Sequence, residues 1–203
     1  MEYSDDKLAT PPESETPSMA SSRVNCFVGD VALRVSLFAA TLVGVVFMVT
    51  SKQTELVAVP GAPVGVKIPL TAKFNQEPAF VYLVIALLIA CLYSIIKIVA
   101  MFLKVFKPTF SKKLLLHFAL LDLLIFGVVV SATGAAGAVG YVGWKGDGHV
   151  GWSKVCPIYD KFCGHTAKSI AMSLLASVIL FLLSMLSIFS LYKRARDQLI
   201  QAN

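Results

Sequence analysis

Charge is what this chain has least of. Only 15% of its 203 residues are Asp, Glu, Lys or Arg, against a hydrophobic fraction of 57%, and that balance excludes a soluble domain of this size. Histidine is limited to His117, His149 and His165, scattered along the chain. No HExxH pair, nucleophile elbow or cofactor loop accompanies them, so an enzyme is not expected, nor any cofactor or bound metal. The absence of an Asn-x-Ser/Thr sequon excludes N-glycosylation. The first 29 residues lack the basic start and short apolar core of a secretory leader, so the first apolar stretch is expected to serve as an uncleaved signal-anchor. That segment is acidic and rich in Ser, Thr and Pro, with no apolar period. It is expected to be disordered, its two Thr-Pro steps being weak phosphorylation candidates.

What the chain has in quantity is apolar sequence. Stretches at 31–50, 79–102, 114–133 and 169–192 each reach the roughly 20 residues that cross a hydrocarbon core about 30 Å thick. They predict an all-α, four-transmembrane-helix bundle over 29–195, between a cytoplasmic tail at 1–28 and another at 196–203. The net charge of +6 lies beside the spans, which points to membrane lipids and not to nucleic acid. Lys104, Lys107, Lys112 and Lys113 crowd one loop, and Lys193, Arg194 and Arg196 open the C-terminal tail. Positive-inside bias therefore places that loop and both termini in the cytoplasm, with two extracellular loops opposite. Those loops hold seven lysines of their own, so the asymmetry lies in density. In the first of them Pro60, Pro63, Pro69 and Pro78 argue against a helix, while VGVKIPLTAKF allows a short extended stretch.

Two ionisable residues of opposite charge, Arg34 and Asp122, stand out within the spans. Arg34 lies in the first and Asp122 in the third, at similar depth from the cytoplasmic side. A charge there costs roughly 2.5–3.5 kcal/mol on insertion scales and calls for a partner, so the two are read as an ion pair, within reach of a bidentate contact. The competing reading has Arg34 snorkelling to headgroups and Asp122 protonated or in a wet crevice. Asp30 and His117 flank the same depth without needing a role, and Lys97 is explained by snorkelling. The pair is expected to lock the spans together; a proton or ion path is the alternative.

Cys156 and Cys163 fall in the second extracellular loop, where disulfides persist, and a bridge between them is expected. Two free thiols, or a metal site, are the alternatives; a Cys2His2 set with His149 and His165 does not have the usual finger spacing. Cys91 reads as a small apolar filler, and Cys26 as a plain juxtamembrane thiol or an S-palmitoylation site. Gly127, Ser131, Gly134, Gly137, Gly140 and Gly143 make the end of the third span a run of small residues. Ser169, Ser173 and Ser177 repeat the device in the fourth. Such faces let helices approach closely, within one copy or between copies; Gly127, Ser131, Ser173 and Ser177 are the packing candidates. The glycines also invite an early helix end, expected between 133 and 143. Tyr141, Trp144, Trp152, Tyr159 and Phe162 are either docking contacts in the outer loop or an interfacial aromatic belt.

With VALRVSLF, LLDLLIFG and VGWSKVCPIYDKFCGH in view, the chain resembles the CASP-like family of plants, relatives of the Casparian strip membrane domain proteins. TAKFNQEPAF and SLYKRAR are similar to its group-one branch. The resemblance covers roughly residues 28–195 and matches Arg34 and Asp122 to the family's span-one Arg and span-three Asp. It matches Cys156 and Cys163 to the cysteines of the second outer loop. It implies a plasma-membrane scaffold with both termini cytoplasmic, forming homodimers, heterodimers or higher oligomers with other CASP-like proteins. It also implies organisation of a membrane subdomain and docking of secreted cell-wall enzymes. The first outer loop, LVAVPGAPVGVKIPLTAKFNQEP, lacks the acidic-start, paired-Phe motif of the true Casparian strip members, so strip formation itself is not implied. A more distant likeness to MARVEL four-span proteins points the same way. A small channel or transporter using the Arg34/Asp122 pair is the alternative function, against which stand the lack of an inverted repeat, of a broken midplane helix and of polar rings along the spans.

Overall fold

A computed structural model describes residues 17–58, 67–106, 112–149 and 151–202. Helices α1 (Pro17–Val49), α2 (Pro78–Phe106), α3 (Lys112–Lys145) and α4 (Asp160–Ala202) carry most of the chain, and a hairpin of β1 (Lys52–Ala58) and β2 (Lys67–Lys73) fills the first loop. All four helices contain windows long and apolar enough to cross a membrane, at Val28–Val49, Pro78–Leu103, Leu116–Lys145 and Asp160–Lys193. The helices close a ring. α1 packs on α2 and α4, and α3 packs on the same two, which leaves α1 and α3 across the diagonal.

The bundle has an apolar inside and an apolar outside, as a low-dielectric surround requires. Leu37, Leu83, Leu87, Val129, Leu180 and Leu183 are fully buried, whereas Leu92, Ile96, Leu124 and Val178 are more than half exposed. Hydroxyls within the core bond back to their own helix. Thr41, Ser94, Thr133, Ser177 and Ser184 each donate to the carbonyl four residues earlier, at 2.7–2.9 Å. Ser169 instead donates across to the Gly44 carbonyl, 2.7 Å away. A Cβ at Gly44 would meet Leu87 Cδ1 at 3.1 Å and Met172 Cβ at 3.6 Å. A side chain here would press on Leu87, so glycine favours the close approach of α1 to α2 and α4.

Three helix boundaries differ from the sequence expectation. α1 begins at Pro17, so 17–28 is helical and not disordered; proline is suited to a first turn, where its missing N–H loses no bond. Residues 1–16, with most of the Thr/Pro-rich segment, lie outside the described residues, as do the side chains of Cys26, Lys104, Lys112 and Lys113 and the whole of Pro60, Pro63 and Lys107. α3 does not stop between 133 and 143 but runs to Lys145. In lipid an open backbone group costs more than glycine's weak propensity, so the glycines stay helical. The stop comes at Gly146, where φ is +69° and the N–H bonds back to Val142 O at 2.8 Å. α4 starts at Asp160, ahead of the expected 169.

That early start is held by the hairpin. Lys52 pairs with Lys73 and Ala58 with Lys67 in an antiparallel register. The sequence pattern pointed to the second strand; the first, KQTELVA, does not alternate cleanly enough to be read. Buried Gln53 reaches α4, its Oε1 accepting the Phe162 N–H at 2.8 Å while Nε2 donates to Asp160 Oδ1 at 3.1 Å. An amide from a strand thus caps a helix N-terminus. Tyr159 donates to Leu70 O at 3.3 Å, and Phe80 meets Phe162 edge-on with ring centres 6.1 Å apart. The Cys156–Cys163 disulfide, Cα atoms 5.6 Å apart, closes the first turn of α4 onto the preceding loop. The expected bridge is present.

Two expected outcomes check this packing. Gly44→Val should cost about 1–3 kcal/mol through overpacking, read as a lower Tm in detergent, whereas Gly29→Val, whose Cβ would meet nothing within 4 Å, should leave Tm nearly unchanged. Cys163→Ser should expose Cys156 to alkylation under non-reducing conditions and lower stability by about 2–3 kcal/mol, as expected for a short closed loop.

Candidate functional site: a four-helix polar knot

Asp122 is fully buried in α3, and every other helix sends a group to it. From α1, Arg34 Nη1 lies 3.5 Å from Oδ1. From α2, the Tyr93 hydroxyl donates to Oδ1 at 2.7 Å and the Lys97 ammonium sits 3.2 Å from Oδ2. From α4, the Ser187 hydroxyl donates to Oδ2 at 3.1 Å. Helical spacing makes the α2 pair possible, because Tyr93 and Lys97 are four residues apart and so share a face. Lys97 also lies over the Phe118 ring at 4.5 Å and near that of Tyr93 at 5.6 Å; a desolvated ammonium gains from both ring faces.

The pair expected between Arg34 and Asp122 is present, with a different geometry. The contact is not bidentate. Arg34 Nη1 is at ion-pair distance without a hydrogen bond, while Nε bonds Asp30 Oδ2 at 3.3 Å. The guanidinium thus bridges two carboxylates, one on its own helix and one across the bundle diagonal. Asp30, for which the sequence alone requires no role, is the second of these. Lys97 does not snorkel: it is 7% exposed and bound into the knot. Two carboxylates face two cations, so the group is neutral as a whole, which is the condition for keeping charge in such a site. Tyr93 and Ser187 were missed altogether. The signal for Tyr93 was its place one turn from Lys97; Ser187, one serine among several in α4, offered none. His117 is exposed.

Toward the hairpin end the knot gives way to Leu37, Leu83, Leu87, Val129 and Leu180, all buried. The chemistry available is therefore cohesion of four helices at one depth. Among the described residues no group of three or more His, Cys, Asp and Glu is placed to hold a metal, and Cys91 is buried.

The remaining candidates divide by location. Ser173 and Ser177 are buried and pack within the chain, whereas Gly127 and Ser131 lie exposed on α3 and take no part in internal packing. Trp144 and Trp152 are exposed, at 66% and 60%. Tyr159 and Phe162 are not docking contacts: both are in the core, at 7% and 8%, because the hairpin closes over them.

A bundle of four apolar helices, knotted by buried charge and capped by a disulfide-closed loop, defines a multi-pass membrane protein with four spans. A family model described as the Casparian strip membrane protein domain matches residues 23–179. "CASP-like protein 1D1" of Populus trichocarpa is 54% identical over 180 residues, covering 89% of this chain and 91% of that protein. "CASP-like protein 1D2" of Glycine max is 49% identical over 193 residues, covering 94% and 97%, and "CASP-like protein 1D1" of Arabidopsis thaliana 47% over 183 residues, covering 90% and 93%. The chain belongs to the CASP-like family, beside the 1D group. No solved structure matches it.

The knot ranks its own substitutions. Asp122→Leu leaves Arg34 and Lys97 facing one another and should be the most damaging, with a loss of about 3–5 kcal/mol read as retention in the secretory pathway. Arg34→Leu and Lys97→Leu each leave Asp122 one cation and should be milder. The exchange Arg34→Asp with Asp122→Arg should not rescue, because it sets a guanidinium against Lys97 and a carboxylate beside Asp30. Surface delivery of Asp122→Leu at the wild-type level would remove the case for the knot.

Proposed function

We propose that this protein is an oligomerising plasma-membrane scaffold that organises a membrane subdomain, and not an enzyme. The observation that carries the reading is the closed knot at Asp122, which engages all four helices and makes the chain a rigid unit for assembly. Arg34 and Asp122 act as structural residues in it. Support for assembly comes from α3, where Gly127, Ser131 and Gly134 form an exposed strip at four- and three-residue spacing. Small residues on a lipid-facing surface suit contact with another helix, from a second copy or from another CASP-like protein. The relatives' printed names support family kinship and carry no partner of their own.

The disulfide favours placing the hairpin end outside the cell, since such bridges persist in oxidising compartments, and the basic tail supports cytoplasmic termini. Trp144 and Trp152 stand on that outer side, suited to the membrane interface or to a secreted cell-wall enzyme. Fluorescence recovery of a tagged chain at the plasma membrane tests the scaffold. Recovery should be slow and patch-like, and Gly127→Leu with Gly134→Leu should speed it several-fold while leaving surface delivery intact. Free diffusion of the wild-type chain would overturn the reading.

A further inference from the structure

In a β ribbon, directly paired residues share a face, and the register divides this hairpin into two unlike sides. Gln53, Val57 and Ala72 turn toward the bundle: Gln53 is buried, and Val57 and Ala72 pack on the core. The other side carries Lys52 opposite Lys73, Thr54 opposite Thr71, Leu56 opposite Pro69, and Lys67 at the far end. All three lysines of the hairpin are on this side, its glutamate, Glu55, is on the other, and Lys52, Lys67 and Lys73 are exposed.

Like charges directly opposite destabilise a ribbon, and neither Lys52 nor Lys73 has an ion-pair partner among the described residues. Beside them is a pocket of about 230 Å³ whose lining includes Ser51 and Asn75. Lys67 and Lys73 are six residues apart on one strand, roughly 20 Å at about 3.4 Å per residue, too far for one small anion to bridge. Between the charges lie a hydroxyl pair, Thr54 and Thr71 at 3.0 Å, and Leu56 at 64% exposure. Cations at both ends, hydroxyls and an apolar row between them fit a ligand that is extended, acidic, hydroxylated and apolar on its ring faces.

We propose that this side of the hairpin is a docking surface for a linear polyuronate, an acidic polysaccharide lying along the ribbon with carboxylates on Lys52, Lys67 and Lys73. The placement of the hairpin outside the cell rests on the function proposed above; the surface chemistry does not. The two extracellular loops together hold seven lysines and four carboxylates, so the long-range field also favours a polyanion.

The test uses the purified full chain in phosphatidylcholine nanodiscs, where both membrane faces are open, so an error in topology or in the scaffold reading leaves the result intact. Polygalacturonate should bind, and its fully methyl-esterified form should not. Lys52→Gln, Lys67→Gln and Lys73→Gln combined should weaken binding about tenfold, as three lost exposed ion pairs would. Lys145→Gln, Lys154→Gln and Lys161→Gln combined remove the same charge elsewhere on that side and should change binding less than about twofold. No binding by the wild-type chain, equal loss in the two triple variants, or equal binding of the ester would each overturn the proposal. Polyglutamate binding as tightly would overturn it in favour of an acidic protein partner.

Discussion

A carboxylate surrounded by hydrocarbon has to be neutralised by groups that are themselves short of water, and Asp122 meets that demand by drawing on α1, α2 and α4 at once. The arrangement follows from the ring order of the helices. α1 and α3 face each other across the diagonal, so an arginine long enough to cross the centre ties the two that share little other contact, while Tyr93 and Lys97 approach from the helix between them. Cohesion by dispersion alone would leave helices of Leu, Ile and Val free to slide, since lipid tails are as apolar as their side chains. The polar knot fixes depth and rotation together.

At the other end of the bundle, order is imposed from the loops inward. A single amide, Gln53, bonds Asp160 and the Phe162 N–H, and the disulfide holds the preceding turn. The hairpin thus covers Tyr159 and Phe162, and in doing so presents its lysines outward. Core formation and surface chemistry are two sides of one register: a shift of one residue would turn the lysines to the bundle and Gln53 to solvent.

Span number, approximate span limits and the approach of Arg34 to Asp122 were legible because charge and hydropathy are extreme in this chain; the parts of Asp30 and Lys97 were not. The disulfide could be read once the loop was placed outside. Less was legible where neighbours decide. Lys97 looks like a snorkelling residue until α3 is set beside it, and Tyr159 and Phe162 look like surface aromatics until the hairpin folds over them. The serines and glycines of α3 and α4 are alike in composition, yet Ser173 and Ser177 point inward and Gly127 and Ser131 outward, a difference in helix rotation that small side chains do not encode. The extension of α3 to Lys145 reflects the solvent: glycine ends helices where water can take over the backbone groups, and there is no water to do so in lipid.

Asp30, four residues ahead of Arg34 on the same helix, bears on how the chain is made. During synthesis α1 would leave the insertion machinery carrying its own counter-ion, a neutral unit before any other helix exists. α2 then brings one surplus positive charge with Lys97, and α3 cancels it with Asp122. No nascent stage need hold more than one uncompensated charge in the membrane, and the last helix to arrive contributes only a hydroxyl.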